Sequence, residues 1–218
     1  MTQTQADYFR KLVAGQEVIT RQGVDYWLIY SNINTWQFWT ILAMLIVPLA
    51  LLYKFIDRTM IYKIAFFGFA THVLFAYTDA FGIRYGLWGY PYQVLPFLPS
   101  VSLDASLIPI AIMFVFQWTL KRRKNFHLYA FLTALAFGFG FKPLLVLSGL
   151  FEKYKWVNYI IIFLIYLVLF EGAYLLTSLF EKMKTASNSK ERDKKTPSWI
   201  NLIYLNRRIL GRKKSRIT

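Results

Sequence analysis

The chain has 218 residues, 56% of them hydrophobic and 19% aromatic, with a formal net charge of +15 and no cysteine. That composition excludes a fibrous chain and points to an integral membrane protein. The absence of cysteine excludes disulfides, thiol catalysis and thiolate metal sites.

Residues 1–35 balance three basic against three acidic side chains and place Tyr8, Leu12, Val18 and Ile19 at helical spacing. A short interfacial helix on the outer surface is expected there. No charged stretch leads directly into an apolar core, so the first span is expected to insert without cleavage. A bilayer core of about 30 Å needs about 20 apolar residues per helix. Five stretches meet that length, at 36–53, 64–82, 101–120, 126–150 and 157–179. The expected fold is therefore an all-α integral membrane bundle of about five transmembrane helices.

Charge sets the expected orientation. Lys54, Arg58 and Lys63 lie in or beside the first connection, and Lys121, Arg122, Arg123 and Lys124 in the third. The tail from 181 to 218 holds 12 Lys and Arg against three acids. With five spans all three segments share one side, which the positive-inside rule makes the cytoplasm. The N-terminus is then outside and the C-terminus cytoplasmic, in a multi-pass protein of the cell membrane. Trp36, Trp39, Trp118 and Trp156 fall at span ends, where indole rings favour the headgroup level. This distribution argues against nucleic acid as the partner of the positive charge.

Between the second and third spans, residues 83–100 carry three prolines, two glycines and the aromatic residues Tyr85, Trp88, Tyr90 and Tyr92. Such a segment cannot form a long helix and is too apolar for a solvated loop, so it is expected to cap the outer helix ends. The fourth span has small residues one turn apart, Ala134 with Gly138 and Ala136 with Gly140. These admit close approach of another helix, from this chain, a second copy or another membrane protein. Pro48, Pro109 and Pro143 fall within spans, where each frees a carbonyl that needs a partner. In the basic segment 180–218, residues 197–210 read as an amphipathic helix. Trp199, Arg207 and Arg208 would lie against the anionic lipid of the cytoplasmic face.

The polar groups inside the spans are the lead to function. His72 and Asp79 are seven residues apart, close to two helical turns, and share a face of the second span. Counted at 1.5 Å per residue, His72, Asp79, Asp104 and Lys142 all fall in the outer half of the bundle and can form one cluster. Glu171 is deeper, so Gln117 or a tyrosine is its expected partner. A charged group at a helix centre costs about 2.5–3.5 kcal/mol on insertion scales, so such groups are paired or used. In the structural reading Lys142 pairs with an acid and His72 bonds a carbonyl freed by a proline. In the functional reading the cluster binds a headgroup, an ion or a proton. No catalytic triad, phosphate loop, paired-acid motif or metal-ligand spacing is visible, so no catalytic residue, cofactor or metal is expected.

The runs WQFWTILAMLIVPLALLYKFIDR, YTDAFGIRYGLWGYPYQVLPFLPSVSLDASLIPIAIMFVFQW and FKPLLVLSGLFEKYKW resemble an uncharacterised family of small multipass membrane proteins from spore-forming Gram-positive bacteria. The likeness covers about 25–175 and rests on Asp57-Arg58, Asp79, Tyr90-Pro91, Asp104 with Pro109, Pro143 and Trp156. Lys142 departs from it, since relatives tend to carry an acid before that proline. The resemblance implies topology and host type rather than chemistry. A fainter likeness, to membrane-embedded lycopene cyclases, implies Asp79 and Asp104 as acid/base groups. The leading expectation is a non-catalytic structural or accessory component with a buried polar cluster. A membrane-embedded enzyme acting on an isoprenoid or lipid, and a small ion or proton carrier, are the alternatives.

Overall fold

A computed structural model describes residues 2–195, with side chains as far as 187. The tail helix expected at 197–210, with Trp199, Arg207 and Arg208, lies outside the described residues. The chain divides into two compact units, 1–177 and 178–218.

Helix α1 spans Gln3–Tyr26, capped by Thr2, whose hydroxyl accepts from the Gln5 amide at 3.3 Å. It buries none of its side chains and runs into a π-helical turn, Trp27–Ser31. Helices α2 (Trp36–Phe55) and α3 (Ile61–Arg84) follow. A π-helical segment, Leu103–Leu107, leads into α4 (Ile108–Arg122). The fourth crossing is α5 (Phe126–Leu135), a π-helical segment Ala136–Phe141, and α6 (Lys142–Leu147). Helix α7 runs Tyr159–Lys195. Five helical stretches are long and apolar enough to cross a membrane, with mean hydropathies of 1.4–2.3, which makes this a multipass membrane protein. Beyond residue 177, the exposed Thr185 hydroxyl bonds back to the Glu181 carbonyl at 2.9 Å.

In the most apolar window of the third crossing 61% of residues are buried, against 11% in the first. The third crossing is therefore the centre of the bundle and the first lies at its edge. Aromatic rings fill the core: Phe67 stacks on Phe116 at 4.3 Å, and Phe126 stacks on Tyr174 at 4.7 Å. Farther along, Tyr166 stacks on Phe137 at 5.4 Å beside Phe75 and Phe170. Trp36, Trp39, Trp118 and Trp156 stay exposed at the helix ends.

Two helix ends shape the connecting segments. At the end of α3, Gly86 takes φ +60°, its amide bonds to the Ile83 carbonyl and the Leu87 amide to Gly82. At the end of α6, Gly149 (φ +69°) bonds to Val146 and Leu150 to Leu145. Both are Schellman closures, in which glycine accepts the left-handed turn without steric cost and the next residue packs inward. They deliver the chain into a short antiparallel pair, β1 (Trp88–Gly89) with β2 (Glu152–Lys153). The cap expected at 83–100 is thus stitched to the segment between α6 and α7.

Helix α7 meets the fourth crossing at Gly138, where an added Cβ would lie 2.9 Å from the Phe163 Cα. Backbone cannot yield as a side chain does, so Gly138→Ala is expected to destabilise the bundle by about 1–3 kcal/mol. A thermal melt in detergent checks it: Tm falls for Gly138→Ala and holds for Gly140→Ala, where nothing lies within 4 Å.

Candidate functional site

Asp79 sits on α3 and is buried. One carboxylate oxygen accepts from Trp88 Nε1 at 3.0 Å, the other from the Tyr90 hydroxyl at 2.6 Å. Both donors belong to the cap, so two of the expected outer aromatic residues turn inward. Tyr85 instead stays exposed and Tyr92 is half-buried. The fit is close at Gly82, where an added Cβ would lie 2.0 Å from the Trp88 ring. Burial first, then the neighbouring Asp79 charge, push the Tyr90 phenol well above its ordinary value, so it remains a donor.

Lys142 opens α6 and is also buried. Among the described residues no acid lies within salt-bridge distance of it. Its Nζ donates to the Tyr90 hydroxyl at 3.4 Å and sits 3.6 Å from the centre of the Phe151 ring. Tyr90 therefore stands between the ammonium and Asp79, accepting from Lys142 and donating to Asp79. The Phe151 ring face supplies a cation–π contact, which a desolvated site strengthens.

Asp104 lies in the π-helical segment before α4, where the Ser100 hydroxyl donates to its side chain. The segment has a sequence cause. The Ile108 amide bonds back five residues to Leu103, and in that register the donor for the Asp104 carbonyl belongs to Pro109, which has none. His72 Nδ1 donates to that carbonyl at 2.8 Å. The same pattern recurs before Lys142, whose amide bonds to Phe137 and is followed by Pro143. Near the third proline, Pro48, the Leu45 carbonyl accepts from the Ser106 hydroxyl at 2.6 Å. Asp79, Asp104, Lys142, Tyr90 and Tyr166 line one cavity of about 30 Å³, so the structure brings these groups together while His72 supports Asp104 from outside the cavity.

Glu171 and Gln117 do not meet. Gln117 accepts from the Asp57 amide at 2.7 Å and donates to the Phe55 carbonyl at 3.1 Å, closing the end of α2. Glu171 instead meets His127 Nδ1 at 2.7 Å, beside Tyr174. Depth counting misses His127, because it is the second residue of its crossing and counts as more than two turns away from the level of Glu171. Nor does Asp57 pair with its neighbour Arg58. Lys121 reaches it at 2.8 Å, because α4 ends beside the turn. The cap is also tied to the N-terminal segment, with Trp27 Nε1 donating to the Gln93 carbonyl at 2.8 Å and the Gln93 amide to Ser31 Oγ at 2.8 Å.

Among the described residues no group of three His, Cys, Asp or Glu side chains is placed to hold a metal. No family model, curated protein or solved structure matches this chain.

Two outcomes are expected. Tyr90→Phe keeps the ring but strands Lys142 and leaves Asp79 one donor short, so thermal melts are expected to show a loss of about 1–3 kcal/mol. At the other end, hydrogen bonds from Lys121 and Thr59 hold the Asp57 carboxyl down to about 2. A depressed carboxylate contributes its stability above the unfolded pKa of about 4, and loses it as pH falls through the folded value. The Asp57 carboxyl resonance is accordingly expected to titrate near pH 2, and to move towards pH 4 in Lys121→Met.

Proposed function

We propose that this protein is a non-catalytic structural or accessory component of the cell membrane, whose buried acid anchors an outer cap to the bundle. The observation that carries this reading is that both Asp79 oxygens are engaged by cap donors, Trp88 and Tyr90. A buried carboxylate is tolerated when its lone pairs are satisfied, and here the donors come from the segment to be held. The cavity of about 30 Å³ has the volume of about one water, too small for a phosphate or sugar headgroup.

A transmembrane ion or proton route has little support. The outer cluster and the His127–Glu171 pair are separated by packed rings, among them Phe75, Phe170 and Phe137. An orientation with the N-terminus outside accords with the basic connections. Affiliation with the uncharacterised family of spore-forming bacteria rests on the resembling runs alone.

Anchoring is tested by access to the cap. Leu87→Cys, a buried position in a chain without other cysteine, is expected to label about tenfold faster when combined with Asp79→Asn, with helix content unchanged. Equal labelling rates in two folded variants would sink the anchoring role. Orientation is checked in intact cells, where Gly15→Cys is expected to react with an impermeant reagent and Lys124→Cys to react only after permeabilisation.

A further inference from the structure

The polar cavity has a neighbour. A groove of about 330 Å³ runs between α3 and α7, lined by Thr78, Ile161, Leu164, Ile165, Val168 and Leu169. Thr78 and Ile165 line the polar cavity as well, so they form the partition between the two. On the outer side the cavity is closed by buried Trp88, Tyr90 and Phe151. The groove is thus the side from which a membrane molecule would approach, with Thr78 and Ile165 between it and the cavity.

Within the cavity Tyr166 is only 2% exposed, and its hydroxyl has no hydrogen-bond partner among the described residues. Lys142 Nζ has one partner, at 3.4 Å. The Tyr166 hydroxyl opens on the cavity, where a guest can exchange a hydrogen bond with it. The chemistry of that guest can be narrowed. The space suits one or two heavy atoms, which excludes phosphates and sugars. A carboxylate would face two acids, and an ammonium would compete with Lys142. A neutral hydroxyl can accept from Lys142 and exchange a hydrogen bond with Tyr166. The aliphatic groove beside it suits a hydrocarbon chain.

We propose that the α3–α7 groove and the adjoining cavity bind a long-chain alcohol from the bilayer, its chain along Leu164 and Val168 and its hydroxyl against Tyr166 and Lys142. This site stands whether or not the cap depends on Asp79. The test uses the full chain in phosphatidylcholine nanodiscs with decanol, decane and decanoate as probes, read by thermal melting. Decanol is expected to raise Tm saturably, at a mole fraction at least tenfold below that needed by decane or decanoate. Tyr166→Phe should bring decanol down to the level of decane, and Ile165→Trp should remove the response to decanol by filling the partition. If Ile165→Trp fails to fold, Val168→Trp takes its place, at a position 67% exposed to lipid. Equal responses to the three probes mean that the cavity takes water only, and overturn the proposal. A full decanol response in the folded tryptophan variant overturns it as well.

Discussion

Placing a carboxyl group in hydrocarbon is so unfavourable that the chain around it must supply hydrogen-bond partners. In this protein Asp79 obtains them from the cap, and most of that end of the bundle follows from the arrangement. Trp88 and Tyr90 can reach inward only because α3 ends in a Schellman turn at Gly86 and Gly82 leaves room for the indole. The pairing of β1 with β2 then brings in the segment after α6, and with it Phe151 under the Lys142 ammonium. An acid, a phenol, an ammonium and an aromatic face form a chain of contacts in which no member is in water.

The prolines act in concert with this network. Pro109 and Pro143 each follow a π-helical segment, and each lies close in sequence to a buried charged residue, Asp104 or Lys142. A helix that loses one amide donor exposes a carbonyl, and inside a membrane that carbonyl must find another donor. His72 fills the role for Asp104, and Ser106 donates near Pro48. The polar side chains of the spans therefore serve two ends, charge compensation and repair of the backbone.

The opposite end of the bundle follows a different logic. Asp57, Lys121 and Gln117 close the turn between α2 and α3 onto the end of α4, and His127 with Glu171 joins the start of α5 to α7. Asp57 and Lys121 lie near helix ends, where water screens charge and an ion pair contributes little. They fix how helix ends meet rather than hold the core, which rests on stacked Phe67, Phe116, Phe126 and Tyr174.

Hydropathy alone determined the class and the five crossings, because a span is a one-dimensional property: enough consecutive apolar residues to match the bilayer. The helices long and apolar enough to cross are Trp36–Phe55, Arg58–Arg84, Leu103–Arg122, Phe126–Leu147 and Tyr159–Ser187, five as hydropathy leads one to expect. Depth counting put His72, Asp79, Asp104 and Lys142 within one half of the bundle, since rise per residue is constant. Partner choice was not legible. Asp79 with Trp88 and Tyr90, Lys142 with Tyr90 rather than an acid, and Glu171 with His127 rather than Gln117 depend on how each helix is rotated and where each turn sends the chain. Rotation is set by packing of rings and glycines between helices, a property of the whole bundle that no single segment carries.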